Sequence, residues 1–298
     1  MGYIEKIQSM LQNGEISCVE LTEKYLKAIE EANGELNAYV TVTPEVALEQ
    51  AKQVDEKIKR GEKLLPLEGV PMTLKDNIST NGIETTCCSK ILKGYKPIYD
   101  AKVWEVLKKN NAILLGKTNM DEFAMGSSCE TSCFGGATNP FNTDHVAGGS
   151  SGGVASAVGG DIAAFGLGSD TGGSIRQPAS FCGIVGLKPT YGAVSRYGLV
   201  AYASSLDQIG PITKTVEDAS LVYDVISEYD ENDSTCEGRQ GEPTYDTLNN
   251  DIKGMKIGIA REYLEGVRED VKEAVLEAAK KYEEMGAEIV YFDLPALK

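Results

Sequence analysis

The sequence predicts an α/β fold, in which strands and helices alternate along the chain. The first observation is that strand-like and helix-like hydrophobic patterns follow one another from about residue 70 onward. The second is that 298 residues, 42% of them hydrophobic and 25% charged, can bury a large core. The third is that no apolar run reaches the length of a membrane span, and that an amphipathic helix rather than a signal peptide opens the chain. We therefore expect a globular, cytoplasmic protein.

The first sixty residues are predicted to be mainly helical. Ser17 and Glu20 form a capping box ahead of apolar residues at helical spacing. Pro44 stands at the first position of a second predicted helix, which continues to about Arg60. The short run 38–42 between these helices is a candidate strand.

The remainder of the chain alternates between strand and helix. Strands are predicted at residues 70–75, 112–116, 162–167, 184–187, 256–260 and 287–292. Helices are predicted at residues 101–110, 151–160, 216–228 and 267–285. Residues 229–251 are acidic and poor in apolar side chains, so they are predicted to be an exposed loop rather than a domain boundary. Residues 1–298 are accordingly treated as one domain.

Charge and residue counts exclude several functions. The formal net charge of −16 repels phosphate backbones, so any RNA is expected to be held by a partner and not by this chain. The seven cysteines lack the spacing of a disulfide framework or a zinc site, which favours reduced thiols in the cytoplasm. With a single histidine, a two-histidine metal site is excluded by count, and no metal is predicted.

Residues 146–176 are dense in glycine and contain two glycine-flanked serines, Ser150 and Ser174. Glycine-dense backbone is entropically costly to fold, and it allows main-chain N–H groups to converge on a small anionic centre. The alternative is a pair of ordinary Gly/Ser turns between apolar segments. A base elsewhere in the chain would favour a serine nucleophile beside an oxyanion hole.

Two residues are candidates for that base. His145 lies five residues before Ser150 in a turn-rich stretch, where a single histidine is more often incidental than catalytic. Lys75 ends the predicted strand at 70–75. A lysine titrates near ~10.4, and burial or a nearby cation can lower its pKa by ~3–5 units. Lys75 is the better candidate, although without the two serines it would be interpreted as one of many surface lysines.

Three blocks occur in order at residues 74–77, 148–153 and 169–176, and read Leu-Lys-Asp-Asn, Gly-Gly-Ser-Ser-Gly-Gly and Ser-Asp-Thr-Gly-Gly-Ser-Ile-Arg. Together they resemble the amidase signature family, and the combination is far more specific than any one block. The resemblance implies a mixed β-sheet core covered by helices on both faces. It also implies a Ser-cisSer-Lys mechanism. The residues carried over are Ser174 as nucleophile, Ser150 as relay serine on a cis peptide bond, and Lys75 as base.

The same resemblance assigns further residues around the nucleophile. The oxyanion hole is expected to consist of backbone N–H groups from Thr171, Gly172, Gly173 and Ser174. The residues expected to line the substrate pocket are Met125 and Gly126. The supporting residues are expected to be Asp170, Arg176 and Ser151. For the two charged residues among them, an ordinary structural role is the alternative.

Two further stretches, 116–128 and 198–211, are similar to the glutaminase components of glutamyl-tRNA(Gln) amidotransferases within that family. The resemblance implies a glutaminase that hands ammonia to a partner working on glutamyl-tRNA. It implies no cofactor in this chain, with ATP and Mg used by the partner, and a heterotrimer with subunits B and C. The tRNA would be bound indirectly, through the partner.

Family members continue considerably further than Lys298, so the resemblance implies a fold that is incomplete at its C-terminus. The groups that hold the amino-acid end of glutamine would lie in that further part, and apolar edges near the last strand would be exposed. Two alternatives remain open. One is a free-standing amidase with another substrate, and the other is an inactive fragment or scaffold that binds partners.

Overall fold

The structure is a computed structural model, and it describes residues 1–295. The chain divides into two compact units, Met1–Tyr245 and Asp246–Lys298. Each unit contains its own β-structure. The sequence indicated no boundary near residue 245, because alternating strands and helices continue across it.

The elements are numbered in chain order. The helices of the described residues are α1 (Tyr3–Gln12), α2 (Cys18–Leu36), α3 (Pro44–Lys59), α4 (Lys102–Lys109), α5 (Gly152–Gly159), α6 (Arg176–Phe181), α7 (Val216–Ile226), α8 (Thr244–Thr247) and α9 (Glu269–Glu284). The strands are β1 (Tyr39–Val42), β2 (Pro71–Lys75), β3 (Ile113–Thr118), β4 (Thr138–Asn139), β5 (Asn142–Val146), β6 (Phe165–Asp170), β7 (Val185–Gly186), β8 (Gln208–Thr213), β9 (Lys256–Ala260) and β10 (Glu288–Phe292). None of the helices in the described part of the chain is long and apolar enough to cross a membrane.

The core of the first unit is a six-stranded sheet in the order β1-β3-β2-β6-β8-β7. Strands β3, β2 and β6 run parallel, while β1, β8 and β7 pair antiparallel to their neighbours. The predicted mixed α/β class is therefore confirmed. Strands β2, β3, β6 and β8 are buried along their whole length, as expected where both faces of a sheet are covered. Because β2 and β6 are parallel neighbours, their carboxyl ends lie side by side.

Local signals account for several helix starts. The Ser17 hydroxyl accepts the Glu20 N–H at 3.1 Å, and the Glu20 carboxylate accepts the Ser17 N–H at 2.9 Å, which confirms the predicted capping box. Thr215 caps α7 in the same manner through the Asp218 N–H. The Asp218 carboxylate also accepts the Ile4 N–H at 2.8 Å, which ties α1 to α7.

Helix α5 begins at Gly152, within the block at residues 148–153, and is buried over most of its length. A Cβ added at Gly153 would lie 2.4 Å from the Asn119 backbone nitrogen and 2.5 Å from the Ala38 carbonyl oxygen. Only glycine permits this close approach of the helix to the end of β3. Gly153 therefore allows α5 to pack closely against the sheet just after Ser150.

Three points of the sequence analysis need correction. The predicted strand at 162–167 lies at Phe165–Asp170 instead, and β8 was missed because Gly210 and Pro211 interrupt its pattern. Residues 229–251 are not a uniformly exposed loop, since Asp230 and Asp233 are buried. Both carboxylates are paired, which their acidic composition could not reveal.

The pairing of those two carboxylates is specific. Asp230 accepts the Ser195 hydroxyl at 2.6 Å, and Asp233 accepts two N–H groups of the Arg196 guanidinium at 3.1 and 2.9 Å. Burial raises the pKa of Asp233, but the Arg196 bonds outweigh it and hold that pKa well below its ordinary range. Residues 230–233 are thereby anchored to Ser195 and Arg196 within the first unit.

The second unit is a β-α-β arrangement in which α9 connects the parallel strands β9 and β10. The predicted strand at 256–260 is confirmed to the residue, and the predicted strand and helix at 287–292 and 267–285 are confirmed within two residues. Tyr291 and Phe292 on β10 remain 45% and 39% exposed.

Candidate active site

Lys75 is the last residue of β2 and is fully buried. Its Nζ lies 2.6 Å from the Ser150 Oγ, 2.9 Å from the Ser169 Oγ and 3.2 Å from the Ser169 carbonyl oxygen. These partners are neutral oxygens. The amine is therefore hydrogen-bonded on three sides without a directly bonded carboxylate.

Burial lowers the pKa of Lys75 from 10.5 to about 8, because the charged form is poorly solvated inside the protein. The nearby Cys129, Asp121 and Asp170 act in the opposite direction and limit the shift. An amine that titrates near neutral pH can accept a proton, whereas an ordinary surface lysine cannot.

The hydrogen-bond partners of the Lys75 amine restrict how its N–H groups and lone pair can be oriented. The Ser169 carbonyl oxygen can only accept, and the Ser169 hydroxyl already accepts the Asn77 side-chain N–H at 3.0 Å. A neutral amine has two N–H groups and one lone pair. If both N–H groups serve Ser169, the lone pair faces the Ser150 hydroxyl, which is the orientation a base requires.

Ser150 follows a cis peptide bond between Gly149 and Ser150, as the resemblance implied. Its side chain is buried, and its carbonyl oxygen accepts the Asp121 N–H at 3.2 Å. A Cβ added at Gly149 would lie 2.0 Å from a carboxylate oxygen of Asp121, so this position tolerates only glycine. Asp121 thus packs against both residues of the cis bond.

Ser174 is partly exposed and lies in the loop between β6 and α6. Its carbonyl oxygen accepts the Ser151 N–H at 3.1 Å, which joins the two serine loops. Among the described residues no hydrogen bond connects the Ser174 hydroxyl with that of Ser150. The structure thus bonds the Lys75 and Ser150 side chains directly, and it connects Ser174 to the loop of Ser150 and Ser151 through the backbone.

Asp170, the last residue of β6, makes several hydrogen bonds to the loop that carries Ser174. Its carboxylate accepts the Gly173 N–H at 2.7 Å, the Ile175 N–H at 3.0 Å and two side-chain N–H groups of Arg176 at 3.1 and 3.0 Å. Burial raises the pKa of Asp170, but the bonds from Arg176 and the backbone N–H groups outweigh it and leave the pKa lowered. Asp170 and Arg176 are therefore paired, and together they hold the backbone of this loop.

One of the four N–H groups predicted to form the oxyanion hole is already hydrogen-bonded within the protein. The Gly173 N–H points to Asp170 and is not available for a ligand in this structure. Within the described residues the N–H groups of Thr171, Gly172 and Ser174 make no hydrogen bond. The Gly173 N–H is taken by Asp170 because an ionised carboxylate is a stronger acceptor than water. The other three expected donors remain free.

Ser169 and Asn77 were not singled out from the sequence. Ser169 accepts from both Lys75 and Asn77, and its carbonyl oxygen also accepts the Ser151 hydroxyl at 3.1 Å. Ser169 lies within the third sequence block, one residue before Asp170. Parallel pairing of β2 and β6 was the signal that could have placed it beside Lys75.

The two residues expected in the substrate pocket lie in a loop after β3. Met125 is 55% exposed, and a Cβ added at Gly126 would lie 2.2 Å from a carboxylate oxygen of Asp121. Asp121 also accepts the Cys129 N–H at 2.9 Å. Asp121 therefore holds this loop through its carboxylate and the cis-bonded Ser150 through its backbone N–H.

His145 lies on β5 with an exposed side chain, and no side-chain hydrogen bond joins it to any described residue. In the described part of the chain His145 is therefore bonded to neither Ser150 nor Ser174. Among the described residues no cluster of His, Cys, Asp or Glu side chains could hold a metal ion.

The chain belongs to the amidase family, which it matches over residues 20–298. The A subunit of the glutamyl-tRNA(Gln) amidotransferase from Thermoanaerobacter pseudethanolicus is 52% identical over 98% of this chain and 60% of that relative. The chain thus spans about three fifths of the length of the curated relatives it matches.

Two solved structures show the same fold. The A subunit of the glutamyl-tRNA(Gln) amidotransferase from Thermotoga maritima superimposes with a TM-score of 0.83 at 42% identity, covering 93% of this chain and 60% of that one. The peptide amidase of Stenotrophomonas maltophilia superimposes with a TM-score of 0.87 at 33% identity, covering 97% of this chain and 61% of that one. The fold is thus shared by a component of an amidotransferase and by a peptide amidase.

Proposed function

We propose that this chain is the glutaminase part of a tRNA-dependent amidotransferase that converts Glu-tRNA(Gln) to Gln-tRNA(Gln), a carbon–nitrogen ligase with glutamine as amido donor. The observation that carries the proposal is the buried amine of Lys75, with a lowered pKa, bonded to Ser150 at 2.6 Å. The high identity to relatives named for that enzyme supports the choice of glutamine over other amides.

In the proposed reaction the Ser174 Oγ attacks the side-chain amide carbon of glutamine. Its proton passes to the Ser150 Oγ, and the Ser150 proton passes to the lone pair of Lys75. The carbon–nitrogen bond then breaks, and ammonia leaves with a proton returned along the same path. Water, activated by the same relay, hydrolyses the glutamyl ester on Ser174 and releases glutamate.

The negative charge on the attacked carbonyl oxygen needs donors. The N–H groups of Thr171, Gly172 and Ser174 are proposed for this role, with ~3–4 kcal/mol of transition-state stabilisation lost per donor removed in comparable sites. Asp170 and Arg176 keep the backbone carrying these donors in place through the bonds described above.

We further propose that ammonia passes to partner subunits, B and C of a heterotrimer, and that ATP and Mg are used there and not by this chain. The net charge of −16 supports a division of labour in which the partner holds the tRNA. The seven free cysteines are compatible with work in the cytoplasm, the location we propose.

The test is ammonia release from glutamine and from simple aliphatic amides, with and without the partner subunits. We expect glutamine to be the preferred substrate and its turnover to rise with partners, and Ser174→Ala to abolish both turnover and acyl trapping. Glutamine turnover that neither exists alone nor rises with partners would contradict the proposal.

One observation favours a second function. The peptide amidase of Stenotrophomonas maltophilia shares this fold at 33% identity, so the same triad could serve a free-standing amidase. In that case aliphatic or peptide amides would be hydrolysed faster than glutamine, regardless of partners. An inactive scaffold would instead leave Ser174 unlabelled by an acyl-trapping probe.

A further inference from the structure

Gln177, in the first turn of α6, connects three loops of the site, two through its side chain and one through its backbone. Its Oε1 accepts the Gly149 N–H at 2.9 Å, and its Nε2 donates to the Ser127 carbonyl oxygen at 2.8 Å. Its backbone N–H donates to the Gly173 carbonyl oxygen at 2.8 Å. The bonded residues adjoin Ser150, Gly126 and Ser174 respectively in sequence.

The chemistry of these contacts requires an amide. Gln and Asn are the uncharged side chains that present an acceptor oxygen and a two-proton donor on one rigid group. The loop before Ser150 also has a glycine, Gly148, where the Gln177 side chain approaches. A Cβ at Gly148, whose φ is +82°, would lie 2.6 Å from the Gln177 Oε1.

We propose that Gln177 is a positioning residue that sets the relay serine and the substrate loop in register with each other. Its two ends have separate tasks: the Oε1 end holds the backbone one residue before Ser150, and the Nε2 end holds the loop carrying Met125 and Gly126. The inference rests on the proposed function for its substrate. Misplacement of about 1 Å in such an arrangement can cost on the order of 100-fold in rate.

Two variants separate the two ends. Gln177→Met keeps the length of the side chain but loses both bonds, whereas Gln177→Glu keeps the acceptor for Gly149 and loses the donor to Ser127. The first readout is the rate at which a fluorophosphonate probe labels Ser174, with a Ser174–phosphorus bond formed and fluoride released. The second is the KM and kcat for glutamine in the presence of the partner subunits.

We expect Gln177→Met to slow labelling about 10-fold or more, and Gln177→Glu to label within about twofold of wild type while its KM for glutamine rises about 10-fold. Wild-type labelling by Gln177→Met would overturn the proposal. Equal slowing of labelling in both variants would overturn the division between the two ends.

The matched control is Asn33 on α2, a half-buried amide that also makes two bonds to backbone. Its Nδ2 donates to the Tyr39 carbonyl oxygen at 3.1 Å, and its Oδ1 accepts the Tyr39 N–H at 2.7 Å. Asn33→Leu is expected to lose a similar amount of thermal stability to Gln177→Met, with unchanged labelling. If Asn33→Leu slowed labelling equally, Gln177 would be structural only.

The labelling experiment also separates this inference from the proposed function, because the probe does not require glutamine. A chain that shows the expected labelling pattern but releases no ammonia from glutamine would contradict the proposed substrate and support the positioning role. If Gln177→Met does not fold, slowed labelling by the folded Gln177→Glu variant would overturn the proposal, and retained labelling with a raised KM would support it.

Discussion

Lys75 and Lys117 are both completely buried on neighbouring strands, β2 and β3, yet their surroundings differ. Lys117 is paired opposite Leu74, one residue out of step with Lys75, so the two amines lie on opposite faces of the sheet. The Lys117 Nζ lies 3.5 Å from an Asp76 carboxylate oxygen and donates to Thr85 and to the Ile78 carbonyl oxygen at 2.8 Å. Lys75 has hydroxyl and carbonyl partners only.

The comparison teaches that burial alone does not make a lysine a base. Burial lowers the pKa of both residues, but for Lys117 the Asp76 carboxylate is the largest opposing influence and favours the charged amine. For Lys75 the nearest acidic groups are not bonded to the amine, so the proton can leave without stranding a partner charge. We therefore expect Lys75 to affect catalysis and Lys117 to affect stability.

The largest expected effect is on activity. Lys75→Met removes the base, and we expect Ser174 labelling and glutamine turnover to fall by about 10²–10⁴-fold, the usual contribution of general acid–base catalysis. Folding should be retained, because the variant replaces a poorly solvated amine by an apolar side chain. Labelling at the wild-type rate would remove Lys75 from the mechanism.

The next effect is on stability. Lys117→Met leaves the Asp76 carboxylate buried without its cation, and we expect a loss of ~3–5 kcal/mol in the free energy of unfolding by urea. The double variant with Asp76→Asn should recover part of that loss, since no charge is then stranded. A loss below about 1 kcal/mol, with equally reduced labelling, would make Lys117 functional and not structural.

The pH dependence sharpens the comparison further. The pKa of Lys75 is lowered from 10.5 to about 8 in the folded protein. Between these two values the unfolded chain binds a proton that the folded chain does not, so stability rises with pH across this window by up to ~3 kcal/mol. Below the pKa of the folded protein, Lys75 is protonated in both states, and the loss of stability from burying its charge is fully present.

The measurement is the free energy of unfolding of wild type and Lys75→Met between pH 7 and pH 10.5. Other titrating groups are common to both proteins, so the difference isolates Lys75. The free energy of unfolding of the wild type should increase relative to that of the variant as pH rises. The labelling rate of the wild type should rise up to about pH 8. Parallel stability curves would show that Lys75 titrates normally.

The smallest expected effect concerns the partner of the amine. Ser169→Ala removes a hydroxyl that accepts from Lys75 and stabilises its charged form, a bond worth roughly 1–2 kcal/mol. The pKa of Lys75 should therefore fall further, and the rise of labelling with pH should move to lower pH. Movement to higher pH would mean that the hydroxyl stabilises the neutral amine.

Features that depend on neighbouring residues in the chain could be predicted from the sequence. The Ser17–Glu20 capping box and the strand at 256–260 were correct because caps and strand periodicity are local signals. The three blocks, through their resemblance to the amidase signature family, also nominated Lys75, Ser150 and Ser174, of which the structure bonds the first two directly.

What only the tertiary structure decided depends on contacts between distant residues. The bonds of Ser169 to Lys75, the burial of Asp233 by Arg196 and the capture of the Gly173 N–H by Asp170 follow from strand pairing and loop folding. The sequence by itself determined the α/β class, the caps and the inventory of reacting groups. The tertiary structure decided which of two buried lysines lacks a bonded carboxylate, because desolvation and charge partners are set by the distances between elements far apart in the chain.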